Sequence, residues 1–211
     1  LFRARTAGYA IPQHFFDGAL QYSAKFLDSN PPLKNQYDIE EAIYLAYASV
    51  LNSPTAENAA RLDRFSGRAE TEIALAYAVM GRIALGKREG PDFDRLRSSI
   101  HESGATAWMD LKGSKMGSWR RVEAAARLLQ ILAFTEPGNP TTAKVVRLLM
   151  NERRGSGWYS TKDTAQVLVG LTEYLRFSRE LDASGSISVQ IGDQDPQTLQ
   201  VSPATVLKDE L

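Results

Sequence analysis

Two kinds of helical segment alternate along this chain, and that alternation restricts its fold more than any other feature. One kind is apolar nearly all round. Residues 37–51 carry Ile39, Ala42, Ile43, Leu45, Ala46, Val50 and Leu51, and residues 72–85 carry Ile73, Leu75, Tyr77, Val79, Met80 and Ile83; residues 119–134 and 161–175 are of the same kind. The other kind is apolar on one stripe, as in residues 12–27, 55–65, 92–102 and 141–152. A one-striped helix lies at a surface, whereas a helix apolar all round is enclosed. Strict alternation therefore predicts two layers, with outer helices wrapping inner ones. Inner-type helices begin near Tyr37, Glu70, Trp119 and Thr161, a spacing of roughly 30–50 residues as in repeat arrays. Pro31-Pro32, Gly90-Pro91 and the run 137–140 punctuate the segments.

The pattern predicts a mainly α fold, a partial α/α toroid of alternating inner and outer helices, with a short β segment at the C-terminal end. A straight solenoid satisfies the same alternation, and the ring with inner helices around a common axis is preferred. Residues 12–176 are expected to hold no strand, the Gly-rich stretch 104–118 with Trp108 being read as a loop. The tail differs: Ser186-Ile187-Ser188-Val189-Gln190-Ile191 alternates strictly, the period of a half-buried strand, and residues 198–201 alternate again. The expected boundaries are 1–183 for the helical part and 184–211 for the start of a following β domain.

The composition narrows the functions. Apolar residues make up 43%, enough for a sizeable core, and no run approaches the ~18 residues of a membrane span. Lys plus Arg and Asp plus Glu number 25 each, so no global field draws the chain to nucleic acid or to an anionic membrane. Cysteine is absent, which excludes disulfides, a thiolate nucleophile, Cys-ligated zinc and a thioester made within these residues. The opening Leu1-Phe2-Arg3-Ala4 has no initiator Met, and the chain is read as cut from something longer. Lys208-Asp209-Glu210-Leu211 matches an endoplasmic-reticulum retention signal, but such an address needs a true C-terminus, and an accidental match at a cut end is preferred.

The most distinctive stretch is residues 151–165, Asn-Glu-Arg-Arg-Gly-Ser-Gly-Trp-Tyr-Ser-Thr-Lys-Asp-Thr-Ala. It resembles the turn between outer and inner helices near the end of the thioester-containing domain of the α2-macroglobulin and complement family. There an Arg, glycines, an aromatic residue and Ser-Thr-Gln-Asp/Ala-Thr precede a helix that ends in a Tyr, as Tyr174 stands here; Lys162 replaces the usual Gln. Ala7-Gly8-Tyr9-Ala10-Ile11-Pro12 resembles a Gly-Tyr-x-Val-Pro opening of bacterial members. Residues 76–81, Ala-Tyr-Ala-Val-Met-Gly, and 122–126, Val-Glu-Ala-Ala-Ala, resemble further blocks of the family in its order. The resemblance spans roughly residues 4–192. It implies a structural fragment of a macroglobulin-type protease trap, an endopeptidase inhibitor of the extracellular space or periplasm. Its partners would be proteases, through the full-length parent, and other domains of the same chain. The family's thioester Cys and Gln have no counterpart here, so no catalytic, cofactor-binding or metal-binding residue is carried over and no cofactor is implied.

Individual residues are read structurally. Gly155 and Gly157 permit a tight turn, Trp158 plugs the gap between two helix layers, and Ser160 with Asp163 forms a cap for the last helix. His14 and His101 are the only histidines and have no partnered nucleophile beside them. Glu40-Glu41 and Asp92/Asp94 are read as acids at helix N-termini, and Arg120-Arg121 and Arg153-Arg154 as solvated basic spots. Two rivals stand against the trap: a toroid enzyme of the terpene cyclase or prenyltransferase type, which would need aspartate clusters or an Asp/Cys/His zinc site absent here, and a helical-repeat interaction scaffold. Self-association of the chain is also expected, through apolar flanks at its N-terminal end, with Leu20, Phe26, Tyr44 and Tyr47 as candidates.

Overall fold

In the computed structural model, residues 5, 8–111, 120–179, 182 and 184–204 are described. Trp119 and the terminal 208–211 motif lie outside them. Eight helices are described: α1 (Gln13–Asp28), α2 (Gln36–Asn52), α3 (Ala56–Ser66), α4 (Glu72–Ala84), α5 (Pro91–Ser98), α6 (Arg121–Thr135), α7 (Pro140–Asn151) and α8 (Thr161–Ser178). Their starts are set by local chemistry. Asn35, Thr55, Thr71, Asn139 and Ser160 each accept a backbone N–H of the first turn through a side-chain oxygen, satisfying donors that a helix leaves unpaired. Pro91 and Pro140 occupy first helical positions, where no N–H is needed.

The layers follow the alternation. Helix α2 packs on α4, α4 on α6 and α6 on α8, while α3 bridges α2 and α4, α5 lies against α4 and α7 against α6. The two middle helices of the series are enclosed: residues 72–81 of α4 and 122–133 of α6 are buried without a break. The end helices are not. α2 leaves Tyr37 and Tyr44 open, and α8 buries only Asp163, Val167, Gly170 and Tyr174 while exposing Leu168. All-round apolarity therefore marks enclosure only where neighbours exist on both sides. Two glycines set the closest approaches. A Cβ on Gly170 would lie 2.9 Å from the Ala126 carbonyl oxygen, so α8 rests directly on the α6 backbone, and one on Gly81 would lie 2.6 Å from a Leu62 methyl of α3.

One expectation is corrected. The segment expected to be helical through residue 102 stops at Ser98, and β1 (Ile100–Ser103) pairs antiparallel with β2 (Thr106–Met109) inside the stretch expected to hold no strand. The Ser98 and Ser99 hydroxyls donate back to the Arg95 and Leu96 carbonyls, closing the helix. Gly104, at φ +56°, supplies the turn that leads into β2. Ala107 and Met109 of β2 are then fully buried, on the side where β2 packs against α7 and α6. A second hairpin, β3 (Gly185–Val189) with β4 (Gln197–Val201), aligns Ile187 with Leu199.

Candidate functional site

A cleft of about 670 Å³ has walls that come from α1, α2, α4, α6 and α8. Phe16, Leu20, Leu45 and Val169 give it apolar walls, and Tyr37, Tyr44, Tyr47 and Tyr77 line it with phenols. Tyr77 packs between Tyr44 and Tyr47, with ring centroids 5.0 and 5.6 Å away.

A polar cluster sits under these rings. The Arg127 guanidinium donates to the Tyr77 hydroxyl at 2.7 Å and lies 4.6 Å from that ring's centroid. Glu123, one turn earlier on α6, is 3.8 Å from Arg127 and receives the Lys162 ammonium at 2.8 and 2.9 Å from its two oxygens. Glu123 and Arg127 are both buried, and the Arg127 Nε has no hydrogen-bond partner. Burial pushes the Tyr77 phenol well above its ordinary range; the charges of Glu123, Tyr44 and Glu40 add to that, and Arg127 opposes it. Tyr77 is therefore a neutral phenol and not a base at any physiological pH. Beside this cluster, Glu40 accepts from Thr71 at 2.9 Å and from the buried Arg120, which also lies 5.5 Å from the Tyr37 ring centroid.

Two expectations change here. Arg120 is buried and paired and does not form a solvated spot with Arg121, whereas Arg153 and Arg154 are exposed. Glu40 lies beyond the first turn of α2 and serves Arg120 and Thr71, while Asp38 is the acid of that first turn. Asp92 and Asp94 do occupy the first turn of α5, and Asp92 also holds Arg82 at 2.9 Å. His14 is exposed against Phe15, and His101 of β1 is exposed beside Trp108. Neither stands beside the cleft's polar cluster. At the cleft Glu123 and Glu40 are each held by a cation, while Glu41 also lines it and is exposed.

The turn between α7 and α8 gathers the residues singled out in the sequence. Arg154 and Gly157 exchange backbone hydrogen bonds of 2.8 and 3.2 Å around Gly155, which sits at φ +60°. A Cβ on Gly157 would lie 2.9 Å from the Thr164 hydroxyl, which instead accepts the Trp158 N–H at 3.0 Å. The Trp158 indole donates to the Leu149 carbonyl at 2.7 Å, satisfying an oxygen left over at the end of α7. Trp158 is half-buried, packing on the core without being enclosed by it. The Ser160 hydroxyl accepts the Asp163 N–H at 3.1 Å and donates to the Asp163 carboxylate at 2.7 Å.

Sequence reasoning missed the buried polar cluster. Its one local signal was Glu123 and Arg127 four apart within an otherwise apolar helix. Among the described residues no three His, Cys, Asp or Glu side chains come together as a metal site, and no helix is long and apolar enough to cross a membrane. No family model and no curated protein matches the chain.

Proposed function

We propose that this chain is a structural part of a macroglobulin-type protease-trapping protein. It would form part of the α/α toroid of a thioester-type domain, without the thioester motif, and lead into a following β domain, in the extracellular space or periplasm. One observation carries the toroid: α2 and α8, the first and last inner helices of the series, line the same cleft as α4 and α6. Helices around a shared axis meet in this way, whereas the ends of a straight stack diverge. The order of the sequence blocks, ending in the 151–165 turn, supports the family.

Two experiments test this. The chain itself, incubated with methylamine or trypsin, should gain no covalent mass and leave trypsin activity unchanged; a stoichiometric adduct would overturn the structural role. The polypeptide as its own cell expresses it should retain trypsin after a single cleavage and migrate faster on a native gel. Cleavage without retention and without a mobility change would overturn the trap.

A further inference from the structure

We propose that the tyrosine-lined cleft binds a small organic cation, an ammonium carrying alkyl or aryl groups, with Glu41 as its counter-ion and Tyr37 and Tyr44 as its ring walls. The three residues are four and three apart on α2 and all line the cleft, which sets the carboxylate on one helix face with a ring one turn to either side. Tyr37 is 57% and Tyr44 44% exposed, and Glu41 is exposed as well, so all three are open to a ligand.

The sign of the ligand follows from the charges of the lining. Four charged residues line the cleft: Glu40, Glu41, Arg127 and Lys162. Three are already engaged. Glu40 is held by Arg120 and Thr71, Lys162 sits on Glu123, and Arg127 donates to Tyr77 with Glu123 3.8 Å away. Among the described residues Glu41 makes no ion pair and no hydrogen bond. A single positive charge therefore completes the lining, whereas an anion would face Glu41 unscreened.

The rings say what kind of cation. A phenol face attracts a cation, and more strongly as water is excluded. Two rings of this cleft already hold one from the chain itself: Arg127 lies 4.6 Å from the Tyr77 centroid and Arg120 lies 5.5 Å from the Tyr37 centroid. Tyr44 carries none among the described residues, and it leans on Tyr77 at 5.0 Å with the rings tilted by 57°. An alkylated ammonium suits such a wall, because its charge is spread over carbon and is weakly hydrated. Its apolar body has a place too: Leu20 of α1, Leu45 and Leu51 of α2 and Val169 of α8 line the same space. A volume of about 670 Å³ is that of a small-molecule site. The second cleft, of about 320 Å³, offers no equivalent, since its carboxylate, Glu173, already has Arg176 at 4.0 Å. This binding rests on α2 and stands apart from any role in trapping.

Isothermal titration of the full chain with hexyltrimethylammonium tests it, with 1-hexanol and hexyl sulfate as the neutral and anionic probes. The cation should bind one per chain with a Kd of about 0.1–1 mM, the range a ligand of this size reaches, and at least about fivefold tighter than either other probe. Glu41→Gln, at an exposed position, should keep the wild-type circular dichroism and weaken the cation about fivefold while leaving 1-hexanol unchanged. Tyr44→Leu, which keeps an apolar wall and removes the ring face, should weaken the cation by a similar factor. Glu173→Gln at the second cleft should change nothing. Equal binding of the three probes, a preference for hexyl sulfate, or no heat from the cation at 10 mM overturns the proposal. So does a cation affinity that survives Glu41→Gln, or one that falls in Glu173→Gln instead.

Discussion

At the scale of the residue, Trp158 and Asp28 show how single side chains join separate helices. The Trp158 indole packs on the core and fills a leftover carbonyl of α7. Trp158→Ala should therefore cost about 3 kcal/mol, the low end for a large aromatic because the ring is only half-buried. Trp158→Phe, which loses only the N–H bond and part of the ring, should cost about 1 kcal/mol. Urea midpoints of the two variants check the order; a Trp158→Phe midpoint equal to that of the wild type would show that the hydrogen bond contributes nothing, and equal costs that the ring packing does not. Asp28 at the end of α1 receives Arg61 of α3 through two bonds of 2.9 and 2.6 Å. That pairing holds the Asp28 carboxyl below its ordinary 3.8, with the Arg61 hydrogen bond as the largest cause. A lowered folded-state value means the tie is fully present above the unfolded value and lost as pH falls through the folded one. The fall in melting temperature between about pH 4 and about pH 2 should accordingly be smaller in Asp28→Asn than in the wild type.

At the scale of the element, glycine substitutions of opposite sign separate packing from propensity. Gly170 lies where α8 touches the α6 backbone, so Gly170→Ala forces the helices apart and should destabilise by about 1–3 kcal/mol. Gly18 in α1 faces open space, and Gly18→Ala should instead stabilise by about 0.5–1 kcal/mol through helix propensity. Thermal melts in dilute solution check both, and a destabilising Gly18→Ala would mean that α1 is packed there. The β1–β2 hairpin is the element least legible in the sequence. Its strands are four residues each, and β1 (Ile-His-Glu-Ser) continues the amphipathic period of α5. What makes it a hairpin is the burial of Ala107 and Met109 under distant helices, which no local pattern records.

At the scale of the whole molecule, burial is concentrated in the middle of the series. α4 and α6 are surrounded by other helices, whereas β3 is exposed along its whole length and β4 at all but its last residue. A two-stranded ribbon without a covered face is marginal in water. Hydrogen exchange at neutral pH should therefore be slowest at the amides of α4 and α6, and residues 185–201 should exchange close to the unprotected rate. Protection of β3 and β4 equal to that of α4 would show that their apolar side chains, Ile187 and Leu199 among them, are covered in solution.

The sequence by itself determined where several helices start, because N-terminal caps such as Asn35, Thr55, Thr71 and Ser160 act within one turn and need no distant partner. It also determined the two-layer alternation and the strand period of residues 186–191. In the 151–165 turn the glycine, indole and cap chemistry were all readable, since the bonds of Trp158 and Ser160 span fewer than ten residues. Tertiary structure alone decided which charges are buried. Arg120 meets Glu40 across 80 residues, and Arg127 meets Tyr77 across 50. A charge in an apolar helix is tolerated only where another helix brings its counter-ion, and periodicity within one segment carries no information about which helix that is. The same reason explains why α2 and α8, as apolar in sequence as α4 and α6, stay open on one side: enclosure depends on having neighbours on both flanks.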